Sequence, residues 1–174
     1  MKFCAFLRGV NVNGTSMKMA EVCKVFSDAG MSEVSSVLAT GNLIFSSDKS
    51  AADLKIILEK AMSEYFNYEA FLFIKTEIEV KAILENSPFQ KLEDSHIYAF
   101  VGTENSGKML LEEFDHSQKT ENENAQIIEH IFYWQVPKGN TLDSDFGKVL
   151  GKKSLKNKIT SRNLNTIEKI MKKF

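Results

Sequence analysis

Residues 3–14 have the sequence FCAFLRGVNVNG, an apolar run that ends at one arginine and continues as a loop containing two glycines. A short apolar run without alternation is typical of a strand that is buried on both faces. The next segment, Met17–Ala29, has apolar residues spaced by three or four, and Gly30 follows it. This spacing and the terminal glycine predict a helix. The chain therefore opens as strand, loop and helix.

Four further segments carry strand or helix signals. They are the strands Val34–Ala39 and Leu43–Ser46 around a turn at 40–42, a helix from the N-cap Ser50 to about Tyr65, and the strand Ala70–Ile74. The resulting order, β-α-β-β-α-β, is that of the ferredoxin-like split β-α-β unit. We therefore predict an α+β fold, a two-layer sandwich of mostly antiparallel sheet and helices.

The second part of the chain has the predicted order α-β-α-β-β-α-α. Its segments are a helix over 76–86 that is capped by Thr76, the strand Ile97–Val101, the helix Ser106–Phe114, the hairpin strands Ala125–Glu129 and Ile131–Val136, and the helices Leu142–Leu150 and Arg162–Lys173. This order resembles a second split unit that lacks its last strand. We predict a ferredoxin-like subdomain over residues 1–75 and a second α/β subdomain with basic C-terminal helices over 76–174.

The composition is that of an ordinary globular protein, with 43% hydrophobic residues, 26% charged residues and a net charge of −1. The longest apolar runs are far shorter than the roughly 20 residues that a membrane helix needs. The N-terminus carries no secretory signal pattern. Cys4 and Cys23 lack Cys-x-x-Cys spacing, which favours two reduced thiols. These features predict a cytoplasmic protein without a membrane span.

The charges are distributed unevenly along the chain. Residues 93–129 contain nine acidic and two basic residues, whereas 147–174 contain nine basic residues and one acid. A basic segment of this kind is typical of an anion-binding surface. Alternatively, the two segments face each other, or the lysines lie on a solvated helix.

Arginine is unusually rare, because 20 of the 22 basic residues are lysine and only Arg8 and Arg162 are arginine. Lysine replaces arginine on a solvated surface, but it cannot replace the planar fork that binds a carboxylate or phosphate. Each arginine therefore marks either an anion site or an internal fork that holds backbone carbonyls or a buried acid.

The loop after the first strand precedes a helix, where backbone amides can bind an anion. Gly9 and Gly14 permit the close approach and the positive φ that an anion site needs, and Asn11 and Asn13 add amide donors. The loop matches neither glycine-rich nucleotide motif, and glycine and asparagine also form turns without any ligand. The segment Thr40–Asn42 has the same two interpretations, as a turn or as part of a site.

The segment Thr160–Asn163 predicts either an N-cap for the last helix or a second anion site beside Arg162. The histidines and cysteines have no metal-ligand spacing, so we predict no metal site and cannot name a cofactor. Neither a nucleophile elbow nor a pair of catalytic carboxylates is identifiable. The aromatic run 132–134 favours core packing over base stacking.

Four motifs of the chain form a combined pattern: Leu7-Arg8-Gly9-Val10-Asn11-Val12-x-Gly14, Thr40-Gly41-Asn42-Leu-Ile-Phe45, Ser87-Pro88-Phe89 and Thr160-x-Arg162-Asn163-x-Asn165-Thr166. Together they resemble a family of small bacterial proteins classed as a domain of unknown function. The resemblance implies an α+β protein of ferredoxin-like elements and supplies no reaction. Many members carry a Ser-Lys pair where this chain has Gly147-Lys148, so only Lys148 carries over.

The sequence thus predicts a pocket for a small anionic, phosphate-bearing ligand, formed by the N-terminal loop and the C-terminal Arg-Asn segment. Its expected residues are Arg8, Asn11, Asn13, Gly14, Thr40, Asn42, Lys148, Arg162 and Asn163. One alternative is a nucleic-acid binder that uses the basic C-terminal region. Another is a structural or oligomeric interaction module. Whether the protein is an enzyme, and in which oligomeric state it exists, stays open.

Overall fold

The computed structural model describes residues 1–10 and 16–174. These residues form two compact units, one of Met1–Lys81 with Glu168–Phe174 and the other of Ala82–Ile167. The predicted division falls after residue 75. The observed first unit also contains residues 76–81 and the last seven residues of the chain. Each unit contains a four-stranded antiparallel sheet with helices, so the predicted α+β class is confirmed.

The first unit has the predicted order of strands and helices. Its elements are β1 (Lys2–Arg8), α1 (Met19–Asp28), β2 (Ser32–Ser36), β3 (Asn42–Ser46), α2 (Ala51–Phe66) and β4 (Phe71–Thr76). The strand order in the sheet is β2-β3-β1-β4, and every neighbouring pair is antiparallel. Because β3 lies between β1 and β2, the two strands joined by α1 are not adjacent, which is the split arrangement.

Both faces of β1 are buried, which explains the apolar run that opens the chain. Phe3, Ala5 and Leu7 pack into one core with the apolar faces of α1 and α2. Cys4 and Phe6 alternate with them and are also fully buried. Side chains of a strand alternate between faces, so a strand with two covered faces has no polar position within it.

The strand predicted at Val34–Ala39 was placed too late in the sequence. The observed strand β2 covers Ser32–Ser36 and has an irregularity in its pairing with β3 between Ser32 and Ser35. Beyond β2, Asn42 holds residues 37–41 in a turn, so they cannot continue the strand.

The second unit has the same strand order as the first, β6-β7-β5-β8. The remaining elements are α3 (Glu77–Glu85), β5 (Ser95–Gly102), α4 (Ser106–His116), β6 (Asn124–Ile128), β7 (Ile131–Pro137), α5 (Asp145–Val149), a 3₁₀ turn (Lys153–Leu155), β8 (Ile159–Asn163) and α6 (Leu164–Met171). The helices α3 and α6 extend across the boundary between the units. From β5 to β8 the order is again β-α-β-β-α-β.

The prediction that the second unit lacks its last strand is wrong. Residues Ile159–Asn163 form β8, which pairs antiparallel with β5 and sets Arg162 opposite Ala99. The final helix therefore begins at Leu164 rather than at Arg162. Hydroxyl, arginine and asparagine side chains in this segment suggest a helix start, but pairing with β5 makes it a strand. The preceding helix α5 is also shorter than predicted.

The aromatic residues of β7 lie in the interior, as core packing predicts. Phe132 and Trp134 pack with Phe146 in the core of the second unit. The indole Nε1 of Trp134 donates a 3.0 Å hydrogen bond to Oε1 of the buried Glu123. The other carboxylate oxygen of Glu123 accepts from the backbone N–H of Thr120 at 3.0 Å. A buried carboxylate is tolerated here because both its oxygens are hydrogen-bonded.

Candidate functional site

Arg8 is the last residue of β1 and is half-buried. Leu7 points into the core with α1 and α2, so the following side chain lies on the opposite face of the sheet. Burial lowers the pKa of the Arg8 guanidinium from its usual value. An arginine remains charged at neutral pH despite such a change, so the strand end carries a positive charge in a partly dry environment.

The turn at residues 37–41 is held by the side chain of Asn42, which is fully buried. Its Nδ2 donates to the carbonyl oxygen of Val37 at 3.0 Å and to Oγ1 of Thr40 at 2.9 Å. The backbone N–H of Val37 donates to the carbonyl oxygen of Asn42 at 2.8 Å. Asn42 therefore has a structural role in the turn, whereas the Thr40 side chain is exposed to solvent.

The same turn packs directly against the end of β1. The backbone N–H of Leu7 donates to the carbonyl oxygen of Gly41 at 2.8 Å. Gly41 has φ +75°, and a Cβ at this position would lie 2.7 Å from Cγ2 of Val10. Only glycine meets both requirements, the positive φ and the close approach. The strand register, with Phe6 opposite Asn42, sets Thr40 at the same end of the sheet as Arg8.

The predicted residues Asn11, Asn13 and Gly14 lie outside the described residues. The loop is described only at its start, where Gly9 has φ +75° and space around its Cα. Gly9 therefore meets the backbone requirement predicted for it, a positive φ directly after the strand.

Arg162 lies in the second unit, at the fourth position of β8, and is 9% exposed. Its Nη1 donates to Oγ1 of Thr160 and to the carbonyl oxygen of Ser161, both at 2.8 Å. Ser161 pairs with Phe100, a core residue, so Arg162 lies on the sheet face opposite that core. Part of the guanidinium fork is thus used within β8, which is the internal role that the sequence left open.

Asn163 links the end of β8, helix α6 and strand β5. Its Oδ1 accepts from the backbone N–H of Asn165 at 2.9 Å, so Asn163 is the N-cap of α6. Its Nδ2 lies 3.0 Å from Nδ1 of His96. Since the amide oxygen is used by the helix, Nδ2 is the donor, and His96 accepts at Nδ1 and carries its ring proton on Nε2.

His96 is a further residue of this group that the sequence did not indicate. It contacts Asn163 only because Tyr98 pairs with Asn163 when β5 and β8 align. The two residues are 67 positions apart in the sequence, and no local pattern indicates such a contact.

Lys148 lies in α5 and is exposed, with Nζ 3.4 Å from Oδ1 of Asp145. An exposed pair of this kind is solvated and contributes little to stability. Lys148 therefore remains a cation that a ligand can approach from solvent.

The predicted site residues are divided between the two units. In the first unit, the end of β1 lies beside the turn at 37–41. In the second, Arg162 and Asn163 follow each other in β8, and Asn163 contacts His96. A single pocket formed by all these residues stays a prediction.

A separate surface groove of about 390 Å³ lies between α1 and α2. Its lining residues are Val25, Asp28, Ala29, Ala61, Glu64 and Tyr65, and none of them belongs to the predicted site.

Among residues 1–10 and 16–174, no group of three or more histidines, cysteines or acids is arranged to bind a metal ion. Neither Cys4 nor Cys23 forms a disulfide. Over the same part of the chain, every helix is too short or too polar to cross a membrane.

These features define a class of α+β protein built from two split β-α-β units, each with one arginine on the sheet face opposite its helical core. The chain belongs to the family described as "Protein of unknown function (DUF1697)", whose model matches residues 1–133. The family resemblance predicted from the sequence motifs is therefore confirmed.

One solved structure has the same fold, that of the conserved bacterial protein SP0830 from Streptococcus pneumoniae. The similarity covers 98% of this chain and 97% of that chain, with a TM-score of 0.78 and 22% sequence identity. A likeness at this identity establishes the fold alone. Comparison with curated proteins gives no match.

Proposed function

We propose that this protein binds a small anionic ligand of the phosphate-bearing class through Arg8 and Arg162 and the segments beside them. The proposal is supported by the use of arginine at two positions of a chain whose other 20 basic residues are lysine. Arg8 is half-buried and Arg162 is nine-tenths buried. A buried guanidinium has lost much of its hydration, so the hydrogen bonds that it donates to an anion are stronger there than on an open surface.

The observation that carries the proposal is the arrangement around Arg8. Arg8 is the last residue of β1, and the strand end lies next to a turn whose shape is fixed by Asn42. The Thr40 hydroxyl accepts from Asn42, so its own hydrogen is directed elsewhere and can be donated to a phosphate oxygen. A site that is rigid before binding loses less entropy when the ligand binds.

The proposal is tested by titrating inorganic phosphate and phenyl phosphate into the protein by calorimetry. We expect Arg8→Lys to weaken binding by about tenfold, because lysine keeps the charge but loses the forked pair of donors. Arg162→Lys is measured in the same way to find whether the second arginine contributes.

The matched control is Lys60→Gln, which removes an exposed charge from α2 of the same unit. We expect this variant to bind as the wild type does. Wild-type affinity in a folded Arg8→Lys variant, or equal weakening by Lys60→Gln, would contradict the proposal, because binding would then depend on overall charge.

A second candidate function, nucleic-acid binding, is favoured by the lysines between α5 and β8. Lys152, Lys153, Lys156 and Lys158 are all exposed, and the segment 147–174 has nine basic residues against one acid. Phosphate contacts from such lysines release counterions, so affinity for single-stranded RNA should fall steeply between low and physiological salt. RNA affinity that is insensitive to salt, or no RNA binding at low salt, would exclude this candidate.

A further inference from the structure

The turn beside Arg8 contains a residue in an unfavourable backbone conformation. Leu38 has φ +60°, in the left-handed region, and the residue is 43% exposed. A residue with a Cβ is strained there, whereas glycine is not, and asparagine is tolerated. Burial in the core does not explain the leucine, because much of its side chain is in solvent.

Leu38 differs from the other non-glycine residues with positive φ in the described part of the chain. These are Glu33 in the irregular part of β2, Asn67 at the C-cap of α2, Asn122 in a turn, and Glu129 and His130 in the turn between β6 and β7. All five are polar. Leu38 is thus the single apolar residue among the six non-glycine residues with positive φ in the described part of the chain. Strain that persists at one residue is associated with binding or catalytic sites.

The strain is maintained because the turn is held at both ends. Asn42 fixes Val37 and Thr40, and Gly41 packs tightly against Leu7 and Val10. The backbone at position 38 cannot relax without breaking these contacts. The backbone of the exposed Leu38 is therefore held in one place.

That place is at the end of the sheet where β1 terminates in Arg8. The pairing of Phe6 with Asn42 and the bond from Leu7 to Gly41 set the turn next to the strand end. The strand end that carries the half-buried Arg8 and the turn that contains the exposed Leu38 thus lie at the same end of the first sheet. The two together are suited to a ligand that has both an anionic and an apolar part.

We propose that Leu38 is a specificity-determining residue, and that the ligand is a phosphate monoester whose aromatic or apolar group packs on the Leu38 side chain while Arg8 binds the phosphate. This inference rests on the proposed function and specifies its ligand class. An apolar contact explains why a leucine is present where the backbone favours glycine, because glycine has no side chain to contact the ligand.

The test compares inorganic phosphate with phenyl phosphate in calorimetric titrations of the wild type, Leu38→Gly and Leu38→Ala. We expect the wild type to bind phenyl phosphate about tenfold more tightly than phosphate, from burial of the ring against one leucine. Both variants should lose this preference and bind inorganic phosphate as the wild type does. Leu38→Gly should also melt at a higher temperature, because it relieves the strained φ, whereas Leu38→Ala should not.

Asn67→Gly is the matched control, because Asn67 also has positive φ in the first unit but lies at the C-terminal end of α2. It should leave both affinities unchanged. Phosphate binding that depends on Arg8 but shows no preference for phenyl phosphate, or a preference that survives Leu38→Gly, would overturn this inference and leave the proposed function intact. If neither compound binds the wild type, the proposed function fails and the inference fails with it.

Discussion

Thr76 and Glu79 hydrogen-bond each other's backbone at the start of α3, which is the reciprocal arrangement of a capping box. The backbone N–H of Glu79 donates to Oγ1 of Thr76 at 3.2 Å, and that of Thr76 donates to Oε2 of Glu79 at 2.8 Å. Lys75 adds a bond of 2.7 Å to the other carboxylate oxygen. Thr76 was predicted to cap this helix from the sequence, because the signal is local.

We predict that Glu79 makes the stability of the protein depend on pH. Burial raises the pKa of Glu79, but hydrogen bonds from Lys75 and Thr76 outweigh it and hold the pKa below the usual 4.5. A lowered pKa means that the contribution to stability is complete above the unfolded value and is lost as pH falls through the folded value. In urea titrations below pH 4.5, the wild type should therefore lose stability relative to Glu79→Gln.

The control for this measurement is Glu77→Gln, an exposed acid in the same helical turn. It should keep the pH dependence of the wild type. A parallel pH dependence of the wild type and Glu79→Gln would contradict the prediction.

Gly147 is the glycine whose replacement should be most costly in the second unit. A Cβ at this position would lie 1.9 Å from the carbonyl oxygen of Thr141 and 3.0 Å from Oγ of Ser144. The backbone cannot yield easily, because the N–H of Gly147 also donates to Ser144 at 2.9 Å. We expect Gly147→Ala to lower the free energy of unfolding by about 1–3 kcal/mol, as overpacking does.

Gly151 is the matched position in the same segment. A Cβ at this position would have the carbonyl oxygen of Lys148 as its nearest neighbour, at 3.4 Å. Gly151→Ala should be nearly neutral when both variants are compared by thermal denaturation. Equal melting temperatures for the two variants would show that the close approach at Gly147 is relieved at no cost.

At the scale of elements, α2 closes the outer edge of the first sheet. Glu59 accepts from the backbone N–H of Leu72 at 3.0 Å, and Nζ of Lys55 donates to the carbonyl oxygen of the same residue at 2.7 Å. Ser63 accepts from the N–H of Ala70 at 3.0 Å. Since β4 is an edge strand, these side chains bind backbone groups that would otherwise pair with another chain.

We predict that Glu59→Ala lowers the free energy of unfolding by about 1–3 kcal/mol, because it leaves the N–H of Leu72 without this acceptor. The matched control is Glu64→Ala on the same helix, whose carboxylate is largely exposed and lies 3.9 Å from Lys60. The control should change stability by less than about 0.5 kcal/mol in urea denaturation. Indistinguishable unfolding of the two variants would mean that the edge bonds contribute nothing measurable.

At the scale of the whole molecule, the two ends of the chain belong to the same compact unit. Residues Glu168–Phe174 group with Met1–Lys81, and Nζ of Lys2 donates to the carbonyl oxygen of Phe174. Ile170 is fully buried in this last segment. The first unit is therefore incomplete until the last residues of the chain are present.

We predict that Ile170→Ala destabilises the protein by about 2–5 kcal/mol, as cavity formation in a core does. Hydrogen exchange should show the loss of protection in residues 1–81 as well as in α6. Ile78→Ala, at an isoleucine that is 80% exposed, is the control and should leave protection unchanged. Loss of protection confined to residues 82–167 would contradict the assignment of the C-terminal segment to the first unit.

The sequence by itself determined the features that depend on neighbouring residues. The buried apolar run of β1, the caps at Ser50 and Thr76, and the order β-α-β-β-α-β of the first unit are all local patterns, and each is present in the structure. A helix period, a cap and an apolar run involve residues within a few positions, so they are visible in the linear sequence.

Only the tertiary structure decided the identity of β8, the contact of Asn163 with His96 and the strain at Leu38. Thr160–Asn163 has the residues of a helix cap, and it becomes a strand because β5, about 60 residues earlier in the chain, supplies its hydrogen-bond partners. Leu38 takes a positive φ because Asn42 and Gly41 fix the turn around it. Strand pairing and turn strain depend on contacts made in the folded chain, which a local sequence pattern does not contain.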